Sequence, residues 1–254
     1  MYYKYNGINI YYEKHNQKKD NILILPGWGD TRKTFTNIIN NIKDYNVYII
    51  DYPNFGNSSK LKKVYTIYDY TELILNFIKD KNITNPIIIA HSFGGRIASL
   101  LITKYKLKIN KLLLIDVAGI KRINLKVLVK QYLYKLLKLL TIIFPKKIRI
   151  KLKNKLFQYF SSNDYKNIDN NMRKTFKNII KENLKKYYKK INIETLIIWG
   201  ENDKDTPLKD GILLNKLINN SALIVYKKAS HYSYLEYPVL TNKIINEYIK
   251  KENN

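Results

Sequence analysis

The sequence contains no cysteine. That removes disulfides, zinc–thiolate sites and cysteine nucleophiles together, and leaves every redox compartment open. Histidine is nearly as scarce, with only His15, His91 and His231. No histidine or carboxylate pair stands at metal-ligand spacing, so no metal is expected. No dinucleotide or phosphate loop is present, so no cofactor is expected either. Long uninterrupted apolar runs are also missing. The most apolar stretch, residues 125–144, is broken by Lys126, Lys130, Lys135 and Lys138 and makes a poor membrane span. The opening Met1-Tyr2-Tyr3-Lys4-Tyr5-Asn6-Gly7 lacks the apolar core of a secretory signal. A cytoplasmic location is therefore expected.

Acidic residues are few, 20 against 46 basic ones, for a formal net charge of +26. Only 5 of the basic residues are Arg and 41 are Lys. Lysine, asparagine, isoleucine and tyrosine have AT-rich codons, so base composition accounts for much of the charge. A protein built to grip phosphates would favour the planar fork of arginine, so specific nucleic-acid binding is not expected. One asymmetry stands out against this background. Residues 121–190 hold 21 basic and 3 acidic side chains, which places 18 of the 26 net charges in one segment.

At 254 residues the chain is long enough for one substantial α/β domain with a small insertion. Tyr2–Tyr5 and Ile8–Tyr12 flank Asn6-Gly7 and read as a β-hairpin. Short apolar runs at residues 21–25, 47–50, 87–90, 112–115, 195–199 and 222–226 read as strands. Helical spacing follows at 31–42, 66–81, 93–105, 208–218 and about 239–250. Strands alternating with helices imply a mostly parallel sheet covered on both faces. Residues 120–191 break the rhythm. They read as helical throughout, split near Pro145 and again across 161–171, and suggest a lid inserted in a core made of 1–119 and 192–254.

Ser92 lies in Ala90-His91-Ser92-Phe93-Gly94-Gly95, between an expected strand and an expected helix. A serine on such a turn projects its hydroxyl above the sheet edge, beside the backbone N–H groups of the helix start. A helix-capping serine is the plainer reading of the same residue. A serine nucleophile needs a base, and His231, after the last expected strand, is the best placed of the three histidines. Asp203 follows the strand 195–199 and is the preferred acid, with Asp205 and then Asp116 as alternatives. Each of these carboxylates also suits a helix cap or a solvated loop.

The chain order Ser, Asp, His, each after a strand, resembles the α/β-hydrolase superfamily over nearly the full length. Leu25-Pro26-Gly27-Trp28-Gly29 resembles the family's oxyanion loop, with Pro26 in place of the usual histidine. Asp51-Tyr52-Pro53-Asn54-Phe55-Gly56-Asn57-Ser58 resembles an architectural turn of the family, and Gly200-Glu201-Asn202-Asp203 its acid loop. The resemblance implies an α/β-hydrolase fold, and an oxyanion hole formed by the Trp28 and Phe93 amides. It also implies cleavage of an ester, a thioester, an amide or certain carbon–carbon bonds. Gly27-Trp28-Gly29 is similar as well to the corresponding loop of pimeloyl-carrier-protein methyl esterases. A serine esterase or thioesterase acting on a small or acyl-chain substrate is therefore expected, with an acidic carrier protein or an anionic lipid surface as partner for the basic lid. A carbon–carbon hydrolase or lyase, or a non-catalytic basic binding module, stands as the alternative.

Overall fold

Asn6 and Gly7 both take positive φ, 46° and 75°, the pair of left-handed residues that a tight hairpin turn requires. They join β1 (Tyr2–Tyr5) to β2 (Ile8–His15) at the edge of an eight-stranded sheet. The computed structural model describes residues 1–121, 125–160 and 169–250. The apolar runs become β3 (Asn21–Leu25), β4 (Asn46–Ile50), β5 (Ile87–His91), β6 (Leu112–Ile115) and β7 (Thr195–Gly200), each buried at every position. Burial on both faces is why these strands read as continuous apolar runs and not as alternation. With the edge strand β8 (Ser221–Tyr226), the order is β1-β2-β4-β3-β5-β6-β7-β8. β1 and β2 pair antiparallel, as do β2 and β4, and every other pair is parallel.

The sheet separates two apolar clusters, one on each face. α2 (Ile67–Asp80) and α3 (Phe93–Thr103) bury their apolar stripes in one of them. α2 opens on a capping box in which the Thr66 hydroxyl accepts from the Asp69 amide while the Asp69 carboxylate accepts from the Thr66 amide. The helix expected over 31–42 is instead a 3₁₀ turn, Arg32–Phe35, followed by α1 (Thr36–Asn41). The Thr34 and Thr36 hydroxyls donate to the carbonyls of Thr31 and Lys33, three residues back, and this local bonding favours the tighter turn.

Between β6 and β7 the chain forms α4 (Leu125–Leu140), α5 (Lys146–Phe160), α6 (Asn170–Lys181) and α7 (Lys185–Tyr188). Pro145 separates α4 from α5; most of the second break, residues 161–168, falls outside the described residues. The latter half of this segment is tied to the core. The Thr175 hydroxyl accepts from the Tyr65 amide at 2.9 Å. The buried Arg96 guanidinium donates to the carbonyls of Ile179 and Glu182 at 3.2 and 3.1 Å, and the Tyr188 hydroxyl donates to Ala118 at 2.7 Å. After β7 come α8 (Leu208–Leu217), the single turn α9 (Ser233–Glu236) and α10 (Pro238–Ile249).

Candidate active site

β5 ends at His91 and α3 begins at Phe93, leaving Ser92 alone on the turn with φ 45° and ψ −111°. Those angles are unfavourable for a residue with a Cβ and persist only where the surroundings impose them. The imposition is visible two residues on. A Cβ at Gly94 would lie 2.0 Å from the Leu25 carbonyl oxygen, so only glycine lets α3 start this close to β3.

The Ser92 hydroxyl stands 2.9 Å from His231 Nε2. On the other side of the ring, His231 Nδ1 stands 2.8 Å from Asp203 Oδ2. The structure thus brings Ser92, His231 and Asp203 together from loops after β5, β8 and β7. Asp203 is buried, and its Oδ1 accepts from the amides of Asp205 and Thr206 at 2.8 and 2.9 Å. The Thr206 hydroxyl lies 2.7 Å from Asp203 Oδ2 and 3.0 Å from the Asp116 carbonyl, and its single hydrogen serves one of them at a time. Burial opposes the Asp203 charge, but the His231 and Thr206 hydrogen bonds outweigh it and hold the carboxyl below its ordinary value. Burial likewise opposes a charged His231, while the Asp203 hydrogen bond and negative charge prevail and raise the imidazole above its ordinary value. A histidine so placed can take a proton from Ser92 and keep the resulting charge.

The two alternative acids occupy other positions. Asp205 is exposed and supplies its amide to Asp203. Asp116, at φ 47°, is fully buried. Its Oδ1 accepts from the Gly200 amide at 2.7 Å and its Oδ2 from the Ser233 hydroxyl at 2.5 Å, so it fastens the acid loop to the base loop. His91 packs its ring 5.0 Å from that of His231 and carries the base loop. Its Nε2 donates to the His231 carbonyl at 2.9 Å, and its Nδ1 pairs with Asp30 Oδ2 at 3.0 Å. Asp30, Thr206 and Ser233 were not anticipated from sequence. None stands in a local pattern that marks it, since each acts on residues distant in the chain or on a loop whose path is set by packing. Asp203, Asp205 and His231 present ligand atoms within 4.8 Å of one another. The Asp205 and Thr206 amides and His231 already donate to Asp203, which leaves this group better suited to orienting an imidazole than to holding a cation.

Among the described residues the amides of Trp28 and Phe93 have no hydrogen-bond partner. Their rings meet edge to face at 5.4 Å, and Trp28 also packs on Phe55 at 5.1 Å and on Phe176 of α6 at 5.3 Å. Phe93 begins α3, so its amide carries the positive end of that helix dipole. The 51–58 turn is held from within: Asp51 Oδ2 accepts from the Asn57 amide at 3.0 Å and from Arg32 at 3.1 Å.

A family model described as the alpha/beta hydrolase fold matches residues 20–128 and 116–238. A pimeloyl-[acyl-carrier protein] methyl ester esterase of Wigglesworthia glossinidia brevipalpis is 29% identical, the match covering 92% of this chain and 95% of that protein. A 2-hydroxy-6-oxononadienedioate/2-hydroxy-6-oxononatrienedioate hydrolase of Pseudomonas putida is 26% identical, over 95% of this chain and 92% of its own. Among solved structures, an alpha/beta hydrolase enzyme from a Medee basin deep-sea metagenome library superposes with a TM-score of 0.76 at 22% identity, covering 100% of this chain and 99% of that one. With the strand order, the turn at Ser92 and these matches in agreement, the chain belongs to the alpha/beta hydrolase fold family.

Proposed function

We propose that the protein is a serine hydrolase that cleaves an ester or thioester of a small or acyl-chain substrate through an acyl-enzyme. The observation that carries this reading is the unbroken line of hydrogen bonds from Ser92 through His231 to Asp203. His231 Nε2 takes the Ser92 proton as Oγ attacks the carbonyl carbon, and Asp203 steadies the imidazolium. The unpaired amides of Trp28 and Phe93 receive the oxyanion. The imidazolium then gives its proton to the leaving oxygen or sulfur as that bond breaks. Water, giving its proton to His231, attacks the acyl carbon and releases the acid, and Ser92 recovers its proton.

Two features support an acyl group as the substrate's reactive half. The rings of Trp28, Phe55, Phe93 and Phe176 pack into one apolar cluster, which includes the residue that follows Ser92. Residues 120–191 act in this reading as a lid on the core of 1–119 and 192–254, and the contact of Phe176 with Trp28 joins lid to oxyanion loop. The test is labelling by a fluorophosphonate probe. Wild type should label, and Ser92→Ala and His231→Ala, both folded, should not. Labelling that survives in Ser92→Ala overturns the reading. A labelled wild type that cleaves vinylogous diketones and no ester or thioester moves the assignment to carbon–carbon hydrolysis.

A further inference from the structure

Helices α4 and α5, joined by the 3₁₀ turn Thr141–Ile143, pack on one another as a helical hairpin. Of their described side chains only Thr141 is buried. Among the others described, Tyr134, Leu137, Leu152 and Leu156 are half-buried, and most of the rest are exposed. Val129, Tyr132, Leu133, Leu136, Leu140 and Ile143 fall at positions that share one helix face and are all exposed, Val129 by 64%, Tyr132 by 71% and Ile143 by 79%. Helical spacing gathers such positions into one stripe, which from Val129 to Leu140 of α4 runs about 16 Å. Isolated exposed leucines need no explanation, whereas a contiguous apolar stripe of this length marks a surface that is covered by something.

The charge of the same element says what covers it. From Val117 to Asn163 there is no acidic residue, and 12 basic ones fall in that span. Lys135 and Lys138 on α4 and Lys146, Lys147, Lys151 and Lys155 on α5 are exposed. A second copy of the chain would bring two wholly basic surfaces together. An acidic protein would answer the charge, but would need a matching apolar face to cover the stripe. A bilayer with anionic headgroups answers both, the lysines lying among the headgroups and the apolar side chains below them. No helix among the described residues is long and apolar enough to cross a membrane, so the hairpin lies along the surface. We infer that the α4–α5 hairpin docks the protein on an anionic lipid bilayer.

This inference goes beyond the proposed hydrolysis, and the experiment separates the two because binding is read without turnover. The full-length protein is floated with vesicles of phosphatidylcholine alone, or with about one third phosphatidylglycerol, and Ser92→Ala is expected to float as the wild type does. Recovery on the anionic vesicles should exceed that on neutral ones by at least about tenfold, and should fall several-fold when salt is raised to about 0.5 M. Two triple variants, Lys146→Glu/Lys147→Glu/Lys151→Glu and Leu136→Ser/Leu140→Ser/Ile143→Ser, should each lose most of the binding. Both should keep the circular dichroism spectrum and the cooperative melting of the wild type, which verifies their fold. Equal recovery on the two vesicle types overturns the inference, as does a wild-type level of binding in either triple variant. Retention of an acidic acyl carrier protein in place of vesicles, lost on charge reversal, overturns it in favour of a protein partner.

Discussion

Asp203→Asn is the substitution with the most fully determined consequence. The carboxylate accepts the His231 Nδ1 proton at 2.8 Å and fixes the tautomer in which Nε2 is free to receive the proton of Ser92. The Asp205 and Thr206 amides remain on Oδ1 in the variant, so they hold the new carboxamide with its NH₂ turned toward the imidazole. Nδ1 must then accept, and the ring proton moves to Nε2, the nitrogen that faces Ser92. A base with its lone pair on the wrong side costs about four orders of magnitude in kcat/KM, or about 5 kcal/mol of barrier. The pH profile supplies an independent sign. In the wild type burial pulls the imidazole pKa down, but the Asp203 hydrogen bond and charge raise it above the ordinary 6.5, with smaller help from Asp116 and Asp205. Because His231 works deprotonated, the acid limb of kcat/KM should lie above pH 6.5 in the wild type. Without the Asp203 charge, burial gains ground and the limb should move toward lower pH in the variant. Hydrolysis of a chromogenic acyl ester from pH 5 to 9, with circular dichroism to verify folding, reads both effects. A folded Asp203→Asn within about tenfold of wild type, or an acid limb that stays in place, would refute the assignment of Asp203.

Asp116 predicts a stability effect of definite direction. Burial pushes its carboxyl up to about 6 from 3.8, the hydrogen bonds of Ser233 and Gly200 notwithstanding. The folded state therefore favours the protonated form, and this stabilisation, present at low pH, is lost as pH rises from about 4 to about 6, a change of about 3 kcal/mol. Asp116→Asn lacks that loss, so its stability relative to wild type, from urea unfolding, should climb over this interval; a flat difference is the contrary result. Ser92 predicts a backbone effect. Alanine keeps the Cβ and its strain at φ 45°, whereas glycine relieves about 1–3 kcal/mol of strain and costs about 1 kcal/mol in chain entropy. Ser92→Gly should accordingly melt at or above Ser92→Ala, and a lower Tm would count against a strained turn.

Much of this architecture was legible because the physics that builds it is local. Five strands buried on both faces must be short apolar runs, and Asn6-Gly7 must turn. Ser92 was legible because Ala90 and Gly94, small residues two before and two after it, suit the close approach of backbone at a strand-to-helix turn. The choice between Asp203 and Asp205 was harder, since they lie two residues apart on one loop. The structure separates them by what surrounds each, with Asp203 drawn inward under the Thr206 hydroxyl and amide and Asp205 left in solvent. The basic charge of 121–190 was plain from the sequence. That the apolar stripe of α4 faces outward was not, because a helix with apolar residues on several sides reads the same whether it is buried in a core or exposed on a hairpin.

The least legible part of the site is the part that holds it together. Asp30 accepts from the Gly27 amide of the oxyanion loop at 3.2 Å and from the Tyr232 hydroxyl of the base loop at 3.1 Å, while pairing with His91. His91 in turn donates to the backbone of His231, so one buried pair beneath Ser92 joins the end of β5 to both loops. On the opposite side Asp116 binds Gly200 and Ser233, joining the acid loop to the turn after His231. Apart from the local bond between Asp30 and Gly27, these contacts span 61 to 202 residues of sequence, and no local pattern can announce them. Their effect is to take the freedom out of three loops before any substrate arrives. A 2.9 Å contact between Ser92 and His231 across 139 residues can then be an attribute of the folded chain, independent of substrate.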